Sequence, residues 1–110
     1  MRPLADRCIL VLACDAMHAI RLVGVLERAG ADTVRADGAS EAVRRIEQFV
    51  FDGAVIDCSL GAEGVAERLS ASAIPFCVCE GAVASAWRPP VTTQVAAVAA
   101  TLSAMLEGKG

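Results

Sequence analysis

A single carboxylate ends an apolar run near the middle of the chain, in the stretch FDGAVIDCSLG (51–61). Three apolar residues (54–56) precede Asp57, and Cys58 follows it. An apolar run that stops at an acid ahead of a glycine is typical of a buried strand whose last side chain lies at the edge of a sheet. Asp57 is therefore the first candidate for chemistry; the other interpretation is a carboxylate that only caps the following turn.

Polar or reactive groups also end the other apolar runs. The run CILVLA ends at Ala13 and is followed by Cys14 and Asp15, and the run IPFCVC is followed by Glu80. Arg88 precedes a pair of prolines and the last helical pattern. Ligands of an open parallel sheet gather at the carboxyl ends of its strands. We therefore expect the functional groups among these positions and Asp57.

Apolar runs alternate with helical patterns along the whole chain. This alternation predicts βαβ units and a parallel sheet that is covered on both faces. The predicted strands are 8–13, 32–36, 53–57 and 74–79. The predicted helices follow Asp15 and Asp37, span 64–72, and close the chain over 91–106. The expected buried stripes are Met17, Ile20, Val23 and Leu26 in the first helix, Ala42, Ile46, Phe49 and Val50 in the second, and Val91, Val95, Val98, Leu102 and Met105 in the last.

The composition indicates one small domain without a long basic surface. The chain has 110 residues, 55% of them hydrophobic, and a net charge of −3; we expect a single domain over 1–110 with no output domain. Arg44 and Arg45 are the only paired basic residues, too few to follow a nucleic-acid backbone. The N-terminus does not resemble a signal peptide, and the uncharged stretch 89–106 contains threonine, glutamine and serine. We expect a cytoplasmic protein that binds neither nucleic acid nor membrane.

The chain has five cysteines: Cys8, Cys14, Cys58, Cys77 and Cys79. An odd number without a secretory signal favours buried thiols in a reducing compartment. Cys14, Cys58 and Cys79 fall at the same end of adjacent predicted strands, where a soft-metal or redox site could form. Their spacing matches no zinc pattern, and Cys58 is expected to point to the face opposite Asp57. Buried apolar cysteine is the favoured prediction.

The chain from Cys8 to Leu106 resembles the receiver domain of bacterial two-component response regulators. The resemblance lies in ILVLACDAM and LERAGADTVRADGASEAV, then in FDGAVIDCSLGAEGVAERL, IPFCVCEG and WRPP. It implies an α/β fold, a doubly wound parallel sheet of flavodoxin-like topology with strand order 2-1-3-4-5. It also implies that Asp57 occupies the phosphoacceptor position of a phosphorelay, and that the partner is a histidine kinase or another regulator.

The sequence departs from the family at the positions that carry its chemistry. The two acidic Mg²⁺ ligands fall on Ala13 and Cys14, the switch hydroxyl on Glu80 and the lysine on Arg88. Phosphoryl transfer depends on charge neutralisation by the metal, so we expect a pseudo-receiver with no catalytic residue, no metal and no cofactor, which is not an enzyme. An ion pair from Arg88 to Asp57 or Glu80 would replace the metal. The alternative is a genuine Mg²⁺-dependent phosphoacceptor at Asp57.

A remote alternative is phosphocysteine chemistry at Cys14, which resembles the cysteine of sugar-transport phosphotransferase B subunits and of small tyrosine phosphatases. A helix N-terminus would lower the pKa of such a thiol and hold a phosphate. However, Asp15 follows Cys14 directly, and no arginine stands at the phosphatase spacing. Both features argue against this enzyme.

The interval after the fourth strand is too short for the family's elements. Only seven residues, GAVASAW, separate Glu80 from Arg88, and two turns of helix alone take about seven residues. We expect the fourth helix to be missing or vestigial and the fifth strand to lie at 84–87. The final helix carries no charge before Glu107. A protein partner or a homodimer is therefore expected at this flank, through Trp87, Ala96, Ala99 and Ser103.

Overall fold

The computed structural model describes residues 2–79, 87 and 89–107. This part of the chain forms a five-stranded parallel sheet with the order β2-β1-β3-β4-β5 and four α-helices. The predicted doubly wound α/β fold and its strand order 2-1-3-4-5 are confirmed. The strands are β1 (Cys8–Ala13), β2 (Asp32–Ala36), β3 (Gly53–Asp57), β4 (Phe76–Cys79) and β5 (Thr92–Thr93). The helices are α1 (Ala16–Arg28), α2 (Ala39–Gln48), α3 (Ala62–Ala71) and α4 (Val98–Glu107).

Two apolar clusters lie on opposite faces of the sheet. Successive side chains of a strand point to opposite faces, so the central strands β1 and β3, covered on both sides, read as continuous apolar runs. We name the clusters by the helices that cover them. The α2–α3 cluster includes Leu10, Leu12, Ile56, Val78, Ala42, Ile46, Val65 and Leu69. The α1–α4 cluster includes Ile9, Val11, Val55, Cys77, Leu22, Leu26, Val98 and Leu102.

Asp15 fixes the start of α1, as predicted. Its Oδ1 accepts hydrogen bonds from the backbone N–H of Met17 at 2.8 Å and of His18 at 3.2 Å, which satisfies two of the donors that every helix leaves free at its N-terminus. The helix ends where expected, because Gly30 adopts a left-handed φ of 98° just after it. The direction in which α1 leaves the end of β1 is thereby set.

The predicted stripe of α1 is wrong at two positions. Met17 and Ile20 are 70% and 68% exposed, whereas Ala19, Leu22 and Leu26 are buried. Residues spaced strictly by three drift around a helix that turns every 3.6 residues. The buried face therefore follows the spacing three then four, and two large apolar side chains remain in solvent.

The stripe of α2 is also shorter than predicted. Ala42 and Ile46 are buried, but the helix ends at Gln48, and Phe49 and Val50 are 44% and 93% exposed. The helix begins after Gly38 rather than after Asp37. Phe49 and Val50 belong to the connection into β3 rather than to the buried face of α2.

The last part of the chain differs from the prediction in its boundaries. The strand beside β4 is Thr92–Thr93, with Thr92 opposite Val78, where the sequence predicted a helix, and α4 begins only at Val98. The strand predicted at 84–87 lies, apart from Trp87, outside the described residues. The predicted absence of a fourth family helix concerns 80–86 and 88, which lie outside the described residues. The apolar face of the final segment is confirmed: Val91, Val95, Val98, Leu102 and Met105 all pack in the α1–α4 cluster. Within the ranges given above, no helix is long and apolar enough to cross a bilayer.

Candidate functional site

Asp57 ends β3 at the carboxyl edge of the sheet. Asp57 is only 8% exposed, and it lies opposite Ala13 in the register between β1 and β3. It borders a cleft of about 400 Å³ that is lined by Cys14, Asp15, His18, Asp57, Cys58, Ser59 and Leu60. This cleft is where the sequence predicts the functional groups to meet.

The partner of Asp57 is His18, the only histidine of the chain and a residue that the sequence did not single out for the site. Nδ1 of His18 lies 3.0 Å from Oδ2 of Asp57. An ionised carboxylate only accepts hydrogen bonds, so Nδ1 donates. The Asp15 cap holds the first turn of α1, and His18 stands in that turn above the end of the neighbouring strand. His18 stands three residues after the predicted N-cap Asp15, and this spacing was the one sequence signal that placed it near the site.

Backbone hydrogen bonds and burial shift the pKa values of one carboxylate and two thiols at this end of the sheet. The backbone N–H groups of His18 and Met17 lower the pKa of Asp15, which keeps this capping carboxylate ionised. Burial, and then the charge of Asp57, raise the pKa of Cys79 to about 12. Burial, and then the neighbouring Cys79, raise the pKa of Cys77 to about 12. These two thiols are neutral packing groups and not nucleophiles or ligands.

Cys14 and Cys58 form a disulfide across the top of the cleft, which corrects the prediction of separate buried thiols. The expected orientation of Cys58 is right: it packs in the α2–α3 cluster, on the face opposite the side chain of Asp57. The sequence interpretation missed that Cys14, two residues after Leu12, points to that same face. Because Ala13 lies opposite Asp57, the next residues of the two strands also meet. Cys79 is a free, buried cysteine outside this bond.

The donor set does not fit the Mg²⁺ ion that the receiver resemblance implies. Mg²⁺ prefers oxygen ligands in an octahedral arrangement. Ala13 is fully buried and offers no side-chain ligand, Cys14 carries a disulfide sulfur, and Asp15 caps α1. Asp57 alone remains of the three expected carboxylates. The described residues contain no group of three or more His, Cys, Asp or Glu side chains that could hold a metal ion.

Two further predicted site residues cannot be placed in this geometry. Glu80 and Arg88 lie outside the described residues. The ion pair from Arg88 to Asp57 or Glu80 therefore stays a prediction, and His18 is the cationic or polar partner that the described residues supply to Asp57.

The predicted interface residues lie on both faces of the sheet. Trp87 is half-buried and packs against the α2–α3 cluster. Ala96 is exposed just ahead of α4, while Ala99 and Ser103 are half-buried on that helix, which covers the other face. These residues thus belong to two separate surfaces, and their role in contacts stays a prediction.

The fold is that of solved receiver domains. No protein-family model and no curated protein matches the sequence, but solved structures do. The response regulator PhyR from Brucella abortus matches with a TM-score of 0.77 and 18% identity over 94% of this chain and 49% of that one. The receiver domain of the Francisella response regulator 1452 matches with a TM-score of 0.77 and 17% identity over 96% and 100%.

A third solved structure has a more similar sequence. SdrG from Sphingomonas melonis is 28% identical, with a TM-score of 0.70, over 93% of this chain and 98% of that one. By contrast, the chain spans about half the length of PhyR. The described residues therefore form a receiver-like domain, with the topology that the sequence resemblance implied.

Proposed function

We propose that this receiver-like domain is a degenerate receiver of two-component signal transduction, which acts by binding other proteins and not by accepting a phosphoryl group. One observation carries the proposal: Asp57 is hydrogen-bonded to His18 in a cleft whose neighbouring positions hold Ala13 and a disulfide. Compared with the site that the receiver resemblance implies, the carboxylate at the end of β3 is present and the groups around it differ.

The charge balance of the cleft supports this proposal. A phosphoryl group entering beside Asp57 brings negative charge that a metal ion must neutralise. Ala13 and Cys14 supply no oxygen ligand, and the ionised Asp15 lies in the same cleft. His18 is also hydrogen-bonded to the Asp57 carboxylate, the group that would have to attack the phosphorus atom. The chain is therefore proposed to have no cofactor and no catalytic residue.

Incubation with acetyl phosphate and Mg²⁺ is expected to leave the intact mass of the protein unchanged. The measurement is mass spectrometry beside the Asp57→Asn variant, with a receiver of known phosphorylation as the positive control. A gain of one phosphoryl group that the variant lacks would establish the alternative, a genuine phosphoacceptor. A gain that survives Asp57→Asn and disappears in Cys14→Ser would establish phosphocysteine chemistry instead; the disulfide opposes it, because Cys14 has no free thiol in this state.

The partner is proposed to be a protein, such as a histidine kinase, another regulator or a second copy of this chain, in the cytoplasm. Helix α4 has no charged side chain between Val98 and Leu106. A cleft of about 440 Å³ runs between α1 and the residues ahead of α4; Ile20 and Ala96 are exposed there, and the exposed Arg21 and Arg28 also line it. Beside this cleft, the uncharged stretch of helix α4 carries mostly small side chains, which favour close contact between two copies.

Self-association is expected to raise the mass measured by sedimentation equilibrium as the protein concentration rises. Ala96→Arg places a charge on this exposed surface and is expected to return the protein to the monomer mass. Gln48→Arg, which adds the same charge at an exposed position of α2, is the matched control and should leave association intact. A monomer mass at every concentration would contradict the homodimer.

A further inference from the structure

The Cys14–Cys58 bond joins the two loops on either side of Asp57. Strands β1 and β3 run in parallel with Ala13 opposite Asp57, so the next residue of each strand also faces its counterpart. The Cα atoms of the two cysteines are 5.5 Å apart, and disulfides usually span about 4.4–6.8 Å. The bond thus occupies the place that the resemblance gives to a metal ligand.

The two sulfur-bearing residues differ in their access to solvent. Cys14 is exposed ahead of α1, whereas Cys58 is 6% exposed and packs in the α2–α3 cluster. Cys14 is therefore the more accessible half of the bond for a thiolate from solution, and Cys58 is the leaving group. Sγ of Cys58 lies 3.7 Å from the carbonyl oxygen of Leu60, which can accept the hydrogen of the released thiol.

The other three cysteines are protected from the same exchange. Burial is the main cause that raises the pKa of Cys77 and of Cys79 to about 12, and that of Cys8 in the same direction. The thiolate is the reacting form of a cysteine, so these shifts disfavour reaction at all three, and Cys77 and Cys79 are also buried. Exchange is therefore expected first at the bond, where Cys14 is exposed.

The bond also connects two helices through very short loops. Asp15 caps α1 directly after Cys14, and only 59–61 separate Cys58 from the start of α3. Gly61 has a φ of 75°, and a Cβ there would lie 2.7 Å from Cβ of Ala39, so the turn into α3 is fixed at its far end. Residues 58–60 line the same cleft as Asp57, so the bond ties this side of the cleft to Cys14.

We propose that Cys14 and Cys58 form a reversible thiol–disulfide exchange site whose state sets the shape of the cleft around Asp57. Its substrates are small thiols and disulfides of the glutathione class. This site goes beyond the proposed function and is independent of whether Asp57 accepts a phosphoryl group. In the reducing compartment proposed above, disulfides are usually transient and sense redox state.

The exchange balances with glutathione as the co-reactant. A glutathione thiolate attacks Sγ of Cys14, the bond to Cys58 breaks, and Cys58 leaves as a thiolate that takes a proton from water. A second glutathione thiolate attacks the glutathione sulfur of the mixed disulfide, which releases Cys14 and one oxidised glutathione. Two electrons pass from two glutathione molecules to the protein, and the reverse steps oxidise the two thiols.

The test is thiol counting after equilibration in buffers of varied reduced to oxidised glutathione. Acid quenching, alkylation in denaturant and intact mass should show three adducts in oxidising buffer, for the three free cysteines, and five in reducing buffer, for every cysteine in the chain. Two-dimensional NMR of the two end states should show shifted amide signals at 14–18 and 58–61 in the reduced protein, with the amide signals at 8–11 and 53–55, farther from the bond, in place.

Two variants separate this bond from general cysteine oxidation. Cys14→Ser should give an adduct count that no longer depends on the buffer. Cys8→Ser, which removes a cysteine outside the bond, should keep the same midpoint with one adduct fewer throughout. Five adducts in every buffer, three adducts in every buffer, or amide signals at 14–18 and 58–61 that coincide in both states would each overturn the proposal. Signals that collapse to those of an unfolded chain on reduction would also overturn it, because the bond would then be purely structural.

Discussion

Reduction of the Cys14–Cys58 bond is expected to lower the free energy of unfolding by about 4 kcal/mol at 25 °C. The bond closes a long loop, because its cysteines are 44 residues apart. Cross-linking such a loop removes conformational freedom from the unfolded chain, and the chain-entropy relation gives between about 3 kcal/mol for 15 residues and about 4.7 kcal/mol for 100. Small domains have about 5–15 kcal/mol of stability in total, so the reduced protein stays folded.

The measurement is urea denaturation with and without a dithiol reductant, followed by circular dichroism. Cys14→Ser should lower the unfolding midpoint without reductant and remove its response to reductant. Cys8→Ser is the control and should keep the full response, because Cys8 lies outside the bond. Equal midpoints of the unaltered protein in both conditions would show that the disulfide does not stabilise the fold.

Leu102→Ala is expected to cost about 2–5 kcal/mol of stability, as large-to-small changes in a packed core do. The side chain of Leu102 is fully buried and holds α4 against the sheet. A Cβ added at Gly53 would lie 3.5 Å from Cδ2 of Leu102, which shows that the leucine lies directly over the start of β3. Its truncation leaves a cavity between the helix and the strand that carries Asp57.

The matched control removes the same atoms from the surface. Leu60 is 84% exposed, and Leu60→Ala is expected to change the stability by less than about 0.5 kcal/mol. Denaturant unfolding of both variants gives the comparison. A cost at Leu102 no larger than at Leu60 would mean that α4 does not pack as described.

The sheet was predictable from the sequence because its strands are covered on both faces. Continuous apolar runs and short connections are sufficient to place β1 and β3, and the cap at Asp15 marks the start of α1. The helix stripes were less predictable, because apolar residues at both helix ends, such as Ile20 and Phe49, fit the periodicity and yet face solvent. Burial in these places depends on how the helix meets the sheet, which the sequence period does not specify.

The site was predicted in position but not in its contacts. The alternation of side chains along parallel strands places Asp57 at the edge, and the same alternation pairs Cys14 with Cys58 once the register is known. The register is a property of two strands together, and an odd cysteine count favoured separate thiols. His18 was missed for a related reason: its contact with Asp57 crosses from α1 to β3, between residues far apart in sequence.

The last strand was missed because two prolines precede it. The sequence predicted a helix over 91–106, and proline lacks the N–H that a ladder needs. The strand that pairs with β4 nevertheless begins after Pro90, at Thr92. The backbone N–H of Val78 reaches the carbonyl oxygen of Val91 at 2.9 Å, so pairing needs no donor from the prolines.

The most direct test of the degenerate site is the binding of a phosphoryl mimic, because it does not depend on the lifetime of an acyl phosphate. The measurement is two-dimensional NMR of the protein during titration with Mg²⁺ and beryllofluoride, in oxidised and reduced states, beside Asp57→Asn. We expect the amide signals of Asp57, His18 and α4 to stay in place in both states, since Ala13 and Cys14 provide no oxygen ligand for the metal. Saturable shifts around Asp57 that need Mg²⁺ and vanish in Asp57→Asn would show instead that the cleft is a working phosphoacceptor site.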